Sequence, residues 1–412
     1  MTRVLIISYY WPPCGGVVIL RPLSLARYLR DHGFKPIIIC SGGNSPWLFM
    51  DEHIETPSVE VHRVDSGDLN ALFDSRKTPL SIRIRTALRA TFRTDYMAKW
   101  ADRATEKAKE IIEEKGIELV IATSPPFSVQ RVGYELKREF RDIKYIADLQ
   151  DLFYSFRRGN PILGLRRMLA IPRTIKHIRS ADLVITASSG FSLGLKDLGI
   201  DSRAVSIGFD CKIATPDDYK RGDLFRMLHT GSFPSTGQTA EYVISAFLEA
   251  QKKDKDFREK ARLIFAGGNP RNKIGEIALD CYSGIDYLGE LTHSKAIDLQ
   301  RSIDVNLLIL TIPDDVGGKS IIPGKMFEYI ASLRPVLSTV PEDGEAARIA
   351  RKNNLGPVVG ANNIRAISNA MLDLFQSWKT GKLDWGATRD RAEFYRSRNR
   401  IAEFAKAMKE LL

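Results

Sequence analysis

Cysteine, histidine and long apolar runs are all scarce in this chain, and each scarcity removes a class of function. The four cysteines, Cys14, Cys40, Cys211 and Cys281, lie far apart with no C-x-x-C pair. They signal neither a zinc ribbon nor a disulfide framework and fit a reducing cytoplasm. The six histidines are scattered without a metal-ligand spacing, so no metal is expected; His229, at the end of a strand in the second half, is the one placed to face a ligand. No apolar run approaches the roughly 18 to 20 residues that a membrane span needs, and Met1-Thr2-Arg3 leads straight into a strand, so no signal peptide is expected. The Rossmann G-x-G-x-x-G spacing is missing. Gly317 to Ser320 looks like the end of a Walker loop, but the first glycine of that motif falls on Pro313. Asp314 and Asp315 are adjacent, hence on opposite sides of an extended chain, which favours a solvated turn over a Mg²⁺ site. No repeat or low-complexity tract is evident.

What the sequence does contain is ordinary globular composition, 44% hydrophobic and 27% charged over 412 residues, enough for two or three domains. Its net charge of +11 is concentrated in two places. Arg76, Lys77, Arg83, Arg85, Arg89, Arg93 and Lys99 stand against Asp95 alone, and Arg157, Arg158, Arg166, Arg167, Arg173, Lys176 and Arg179 stand against no acid. Both segments interleave apolar residues at helical spacing, as at Ile162, Leu163, Leu165, Met168, Leu169 and Ile171. Such helices suit an anionic membrane surface. A pair of solvated helix faces is the plainer alternative, and nucleic acid is disfavoured because no recognition module accompanies the charge.

Short, β-branched runs alternate with amphipathic helices along the whole chain, the pattern of parallel α/β sheets. Strands are expected at 3–10, 36–40, 59–64, 117–123, 144–152, 182–188 and 204–210, the 59–64 strand near an edge. A polar linker at 217–223 follows, and a second series begins at 224–232, with further strands at 261–268, 285–291, 305–310, 335–338 and 357–359. The densest stretch is Gly317 to Val340. There Pro323-Gly324 opens a helix with Met326, Phe327, Ile330 and Ala331 on its apolar face and Lys325, Glu328 and Tyr329 nearer its mouth. A loop leading from a strand into a helix start is where an open α/β sheet binds anions. Lys325 and the Gly324-Lys325 amides suit a diphosphate, and Glu328, one turn on, suits sugar hydroxyls. Asp151, just past its strand, is placed either to meet an acceptor hydroxyl or to cap a loop, while Asp148 belongs to the strand itself.

Pro323, Lys325, Glu328, Tyr329 and Pro335 resemble the donor site of the nucleotide-sugar glycosyltransferases of family 4. Tyr10-Trp11-Pro12-Pro13 with Gly15-Gly16 and Arg21-Pro22, Ser124-Pro125-Pro126, Asp148 to Asp151, Ser206 to Asp210, Phe265 to Gly268 and Tyr287 to Leu291 resemble further segments of that family or of one branch of it. The resemblance implies a GT-B fold, two Rossmann-like parallel-sheet domains facing across a cleft. The domains are expected at residues 1–210, for the acceptor, and 211–390, for the donor, with a final helix at 391–412 returning to the first. It further implies Asp151 and Lys325 as catalytic residues, and donor contacts at Gly15, Gly16, Gly231, Ser232, Gly268, Leu291, Ser320, Gly324, Lys325 and Glu328. Three departures stand out: Ser320 replaces an upstream Glu that holds the transferred sugar, Ser124-Pro125 replaces a His of many members, and Phe233 to Gln238 lacks an Arg and a Lys that grip phosphates.

The expected activity is transfer of a sugar from a nucleoside diphosphate to a lipid-linked or other glycan acceptor with retained configuration, in cell-surface polysaccharide assembly at the inner face of the plasma membrane. No metal or cofactor beyond the nucleotide sugar is expected, and no nucleic acid. Two alternatives remain open: a GT-B protein that binds a nucleotide sugar without transferring it, and a sugar-nucleotide epimerase on the same fold.

Overall fold

The computed structural model describes residues 1–42, 50, 54–66, 95, 97–151, 161–231, 239–267, 283–311 and 316–412, with side chains left aside at 161–169 and 316–317. They form two compact units, one of Met1–Ile207 with Ser397–Leu412, the other of Gly208–Arg396.

The first unit holds a seven-stranded parallel sheet of β1 (Thr2–Ser8), β2 (Phe34–Ser41), β3 (Glu60–Val64), β4 (Leu119–Ser124), β5 (Lys144–Leu149), β6 (Leu183–Thr186) and β7 (Arg203–Ala204), in the order β3-β2-β1-β4-β5-β6-β7. Its central strands are buried on both faces, with Val4, Leu5, Ile6, Ile7 and Leu119 through Ala122 fully covered, which is why they read as unbroken apolar runs. β3 pairs with β2 alone and lies at the edge, as its alternating pattern implies. The helix Ser397–Lys409 packs beside Leu20–Tyr28.

The second unit repeats the plan with β8 (Phe225–Thr230), β9 (Ala261–Ala266), β10 (Ile285–Tyr287), β11 (Val305–Ile309), β12 (Val336–Thr339) and β13 (Val358–Val359), in the order β10-β9-β8-β11-β12-β13. In both sheets the order reverses beside the first strand, between β1 and β4 and between β8 and β11. Those are the points where helices leave to opposite faces and open a crevice at the strand ends.

Two expectations need correction. The strand expected over 204–210 forms only Arg203–Ala204; Val205 N still donates to Thr186 O at 2.8 Å, but Phe209, already in the second unit, donates its N–H to Tyr395 O at 3.1 Å instead of extending the sheet. The single terminal helix is two, Arg389–Phe394 and Ser397–Lys409. Of the basic segments, most of the first and Arg157 and Arg158 lie outside the described residues. In the second, the helix Pro161–Arg179 exposes Arg173, Lys176 and Arg179 and buries Thr174, His177 and Ile178, so from Ile171 onward it is amphipathic as expected.

Candidate functional site

The side chains with chemistry gather at the β8–β11 reversal of the second sheet. The β8–β11 register runs Met227 with Val305 and Leu228 with Asn306. Beyond it the two strands turn to side chains for partners: Thr230 N donates to the Tyr329 hydroxyl at 3.1 Å, and Leu307 O accepts from Tyr329 Oη at 3.3 Å and from His229 Nδ1 at 3.0 Å. A carbonyl only accepts, so Nδ1 carries the proton and Nε2 is left as an acceptor. It faces Lys325 Nζ at 3.1 Å.

Lys325 opens the helix Lys325–Ala331, whose first turn closes through Met326 N to Pro323 O at 2.9 Å and Phe327 N to Gly324 O at 3.2 Å. Met326, Phe327, Ile330 and Ala331 are buried as their spacing implies. Tyr329, expected nearer the mouth, is also fully buried, because its hydroxyl serves the two strand ends. Burial lowers the Lys325 ammonium to about 8, against the opposing pull of Glu328. Burial, then the Lys325 charge, holds His229 well below its ordinary value, so it is neutral at physiological pH.

The wall beside this ammonium is bare backbone. Gly231 has φ +103°, and a Cβ on it would meet Lys325 Nζ at 2.8 Å; Gly267, at φ +130°, would drive a Cβ to 2.7 Å from the Gly231 carbonyl carbon. Gly231 N donates to Ala266 O at 2.7 Å, which ties the two turns together.

One turn along the helix, Glu328 Oε1 lies 2.8 Å from His293 Nε2, and Oε2 accepts from Gln300 Nε2 at 3.3 Å; Gln300 Nε2 also reaches Thr230 Oγ1 at 2.9 Å. Each carboxylate oxygen keeps a further lone pair for a ligand hydroxyl. His293 and Gln300 belong to the helix His293–Ser302, capped by Thr292, and nothing in their local sequence pattern marks them as partners of a glutamate some 30 residues on.

The structure therefore brings Gly231, Gly324, Lys325 and Glu328 together in the second unit. Ser320 is buried in the turn after Val316–Lys319, and Leu291 packs against the cluster of Leu228, Ile264, Ala266 and Ile303. Ser232, Gly268, Asp314 and Asp315 lie outside the described residues. Lys319, the other cation of this region, is paired with Asp343 at 2.7 Å, so its charge is already offset.

The first unit carries the remaining candidates at its own strand ends. Gly15 is buried and Gly16 exposed in the turn after β1. Asp151 is partly exposed beyond β5, and desolvation raises its carboxyl to about 6, within reach of proton-transfer work near neutral pH. Burial raises the Tyr10 phenol, and the charges of Asp95 and Asp151 contribute. Asp148 sits within β5, wholly buried 3.6 Å from the equally buried Arg21, whose Nη2 donates to the Val205 carbonyl. Ser124 is fully covered and engaged with Gln130 Nε2 at 3.0 Å and the Asp148 carbonyl at 3.3 Å, so it does not take up the role of the missing His.

No family model matches the chain, and no curated protein does. Solved structures do. A glycosyltransferase from Rickettsia africae matches with a TM-score of 0.66 at 16% identity, covering 100% of this chain and 98% of that one. The apo form of the lipopolysaccharide outer core galactosyltransferase WaaB matches at 0.63 and 12%, covering 100% of both. A UDP-N-acetylglucosamine 2-epimerase, so described provisionally, from Listeria monocytogenes matches at 0.52 and 13%, covering 99% and 96%. With the two strand orders, these likenesses make the architecture GT-B, the fold of nucleotide-sugar glycosyltransferases.

Proposed function

We propose that the chain is a retaining glycosyltransferase that moves a sugar from a nucleoside diphosphate to a glycan acceptor, in the manner of family 4. The observation that carries this reading is the pairing of one partly buried cation, Lys325, with a carboxylate one helical turn away, Glu328, at the reversal point of the second sheet. A diphosphate needs the first and a ribose diol the second, at about the separation that a single turn provides.

In the reaction the bond from the anomeric carbon to the β-phosphate oxygen breaks, an acceptor oxygen bonds to that carbon, and the acceptor proton passes to the departing phosphate. The task of the protein is to stabilise the leaving charge, which Lys325 and the neighbouring amides would do without a metal. Asp151 would orient the acceptor hydroxyl.

The basic segments of the first unit favour a lipid-linked acceptor presented at the inner face of the membrane, on a pathway of cell-surface polysaccharide. Among the described residues no helix is long and apolar enough to cross a membrane, so contact would be peripheral. Flotation with anionic vesicles should show binding that salt abolishes; indifference to both lipid and salt would remove this part of the reading.

A second reading, donor binding without transfer, is favoured by the full burial of Ser124 and by Ser320 in place of a carboxylate. Calorimetry with a panel of nucleotide sugars, joined to assays of donor hydrolysis and transfer, separates the two. Binding with turnover supports the transferase, binding without turnover the second reading, and turnover of the donor to an isomer without any acceptor an epimerase.

A further inference from the structure

The proposed reaction assigns no role to the histidine beside Lys325. His229 is 1% exposed at the end of β8, and its imidazole spans the reversal point, from the Leu307 carbonyl of β11 to the Lys325 ammonium. We infer that His229 is a positioning residue for the donor diphosphate: fixed in its Nδ1–H tautomer by Leu307 O, it accepts one hydrogen bond from Lys325 Nζ and pins the ammonium against Gly231. The inference rests on the nucleotide-sugar reading of this site and adds a residue to it.

Three features argue for positioning as against simple core filling. A lysine side chain has four rotatable bonds whose freedom is lost when it is immobilised, so a cation that must meet a phosphate at a set place gains from a second anchor. His229 supplies that anchor without neutralising the charge, which a carboxylate at the same place would do. Lys325 donates to His229 alone among the described residues, leaving two N–H bonds for phosphate oxygens.

Three elements among the described residues pack against the imidazole. β11 presents Leu307 O, and β9 presents the Phe265 ring, its centroid 6.2 Å from that of the imidazole. The helix Lys325–Ala331 presents Lys325, Glu328 and Tyr329, and Glu328 is in turn held by His293 and Gln300. Protonating His229 would place two cations 3.1 Å apart in a buried site, so it stays an acceptor at neutral pH. The sequence that follows β8, Phe233 to Gln238, holds no lysine or arginine, and Lys319 is paired with Asp343, which makes the placing of Lys325 matter more.

Two readouts test this. In the first, Lys325 is acylated with acetic anhydride across neutral to alkaline pH and its peptide followed by mass spectrometry. Removing the acceptor disfavours the ammonium, so His229→Phe should shift the labelling midpoint down by about one pH unit from its place near 8. His229→Asn, which keeps the bond to Leu307 O but falls short of Lys325, should do the same. His229→Gln, whose amide oxygen reaches where Nε2 lies, should restore the midpoint.

In the second, UDP, GDP and ADP are titrated calorimetrically beside their nucleosides. His229→Phe and His229→Asn should weaken the diphosphates about tenfold or more and leave the nucleosides unchanged, with Gln intermediate. An unmoved midpoint in both the Phe and Asn variants overturns the role of His229. A shifted midpoint in a protein that binds no nucleoside diphosphate upholds the coupling of His229 to Lys325 and overturns the nucleotide-sugar reading instead.

Discussion

Lys325 Nζ occupies the space that a side chain on Gly231 would enter, 2.8 Å from where its Cβ would stand. The close approach explains why glycine is needed there twice over, once for φ +103° and once for room. Gly231→Ala should therefore cost about 1 to 2 kcal/mol in stability from backbone strain and displace the ammonium. Nucleotide affinity should fall at least about tenfold, well beyond what a loss of stability at saturating fold would cause. Calorimetry on the folded variant checks this; unchanged affinity would mean that the ammonium and the ligand do not share this wall.

The Arg21–Asp148 pair of the first unit is buried on both sides, with Arg21 stacked 5.5 Å from the Phe404 ring centroid. Burial raises the Asp148 carboxyl and lowers the Arg21 guanidinium, each partly opposed by its partner. Replacing one alone, as in Asp148→Leu, should cost about 3 to 5 kcal/mol because it strands a buried charge. Arg21→Met combined with Asp148→Leu should cost much less. Denaturant unfolding of the singles and the double checks the sign of the coupling, and additive effects would show that the pair is not coupled.

If transfer proceeds as proposed, it should follow a bell-shaped pH profile set by Asp151 and Lys325. In the proposed reaction the diphosphate binds the ammonium form of Lys325, so affinity should hold below about 8 and fall roughly tenfold per pH unit above it. Asp151 must be ionised to accept a hydrogen bond from the acceptor, so transfer should rise as pH climbs through about 6. Lys325→Arg should remove the alkaline limb and Asp151→Asn the acid limb; a flat profile would remove both assignments.

Asp151 should also trade stability for function. Its folded pKa lies above the ordinary 3.8, so its contribution favours the fold below that value and is lost as pH rises through about 6. At neutral pH Asp151→Asn should then stabilise the chain, on the order of 1 kcal/mol given its partial exposure, while transfer falls. A destabilised variant would place Asp151 among the loop caps.

Much of the fold was legible because parallel strands buried on both faces need continuous apolar runs, as at Val4 to Ile7 and Val305 to Leu308. Lys325 and Glu328 were legible from their place at a helix start after a glycine-rich turn. The partnerships were not. Lys319 meets Asp343, Glu328 meets His293, and His229 meets Leu307, each through the folding of distant segments, and none leaves a periodic trace. Tyr329 was misplaced because a phenol reads as polar, although it stands three residues from the buried Met326, on the same side of the helix. The stretch from Val205 to Asp210 read as a strand because Val205, Ile207 and Phe209 are buried apolar residues, but Phe209 N pairs with Tyr395 O, a partner that local pattern does not reveal.

The most direct test is a calorimetric panel of nucleoside-diphosphate sugars titrated into the native chain and into the variant carrying both Lys325→Ala and Glu328→Ala. Loss of a phosphate cation and a ribose carboxylate should weaken whichever sugar nucleotide binds by about a hundredfold or more, with the fold intact by circular dichroism. Equal affinity of the two proteins for every member of the panel would contradict the assignment of this site.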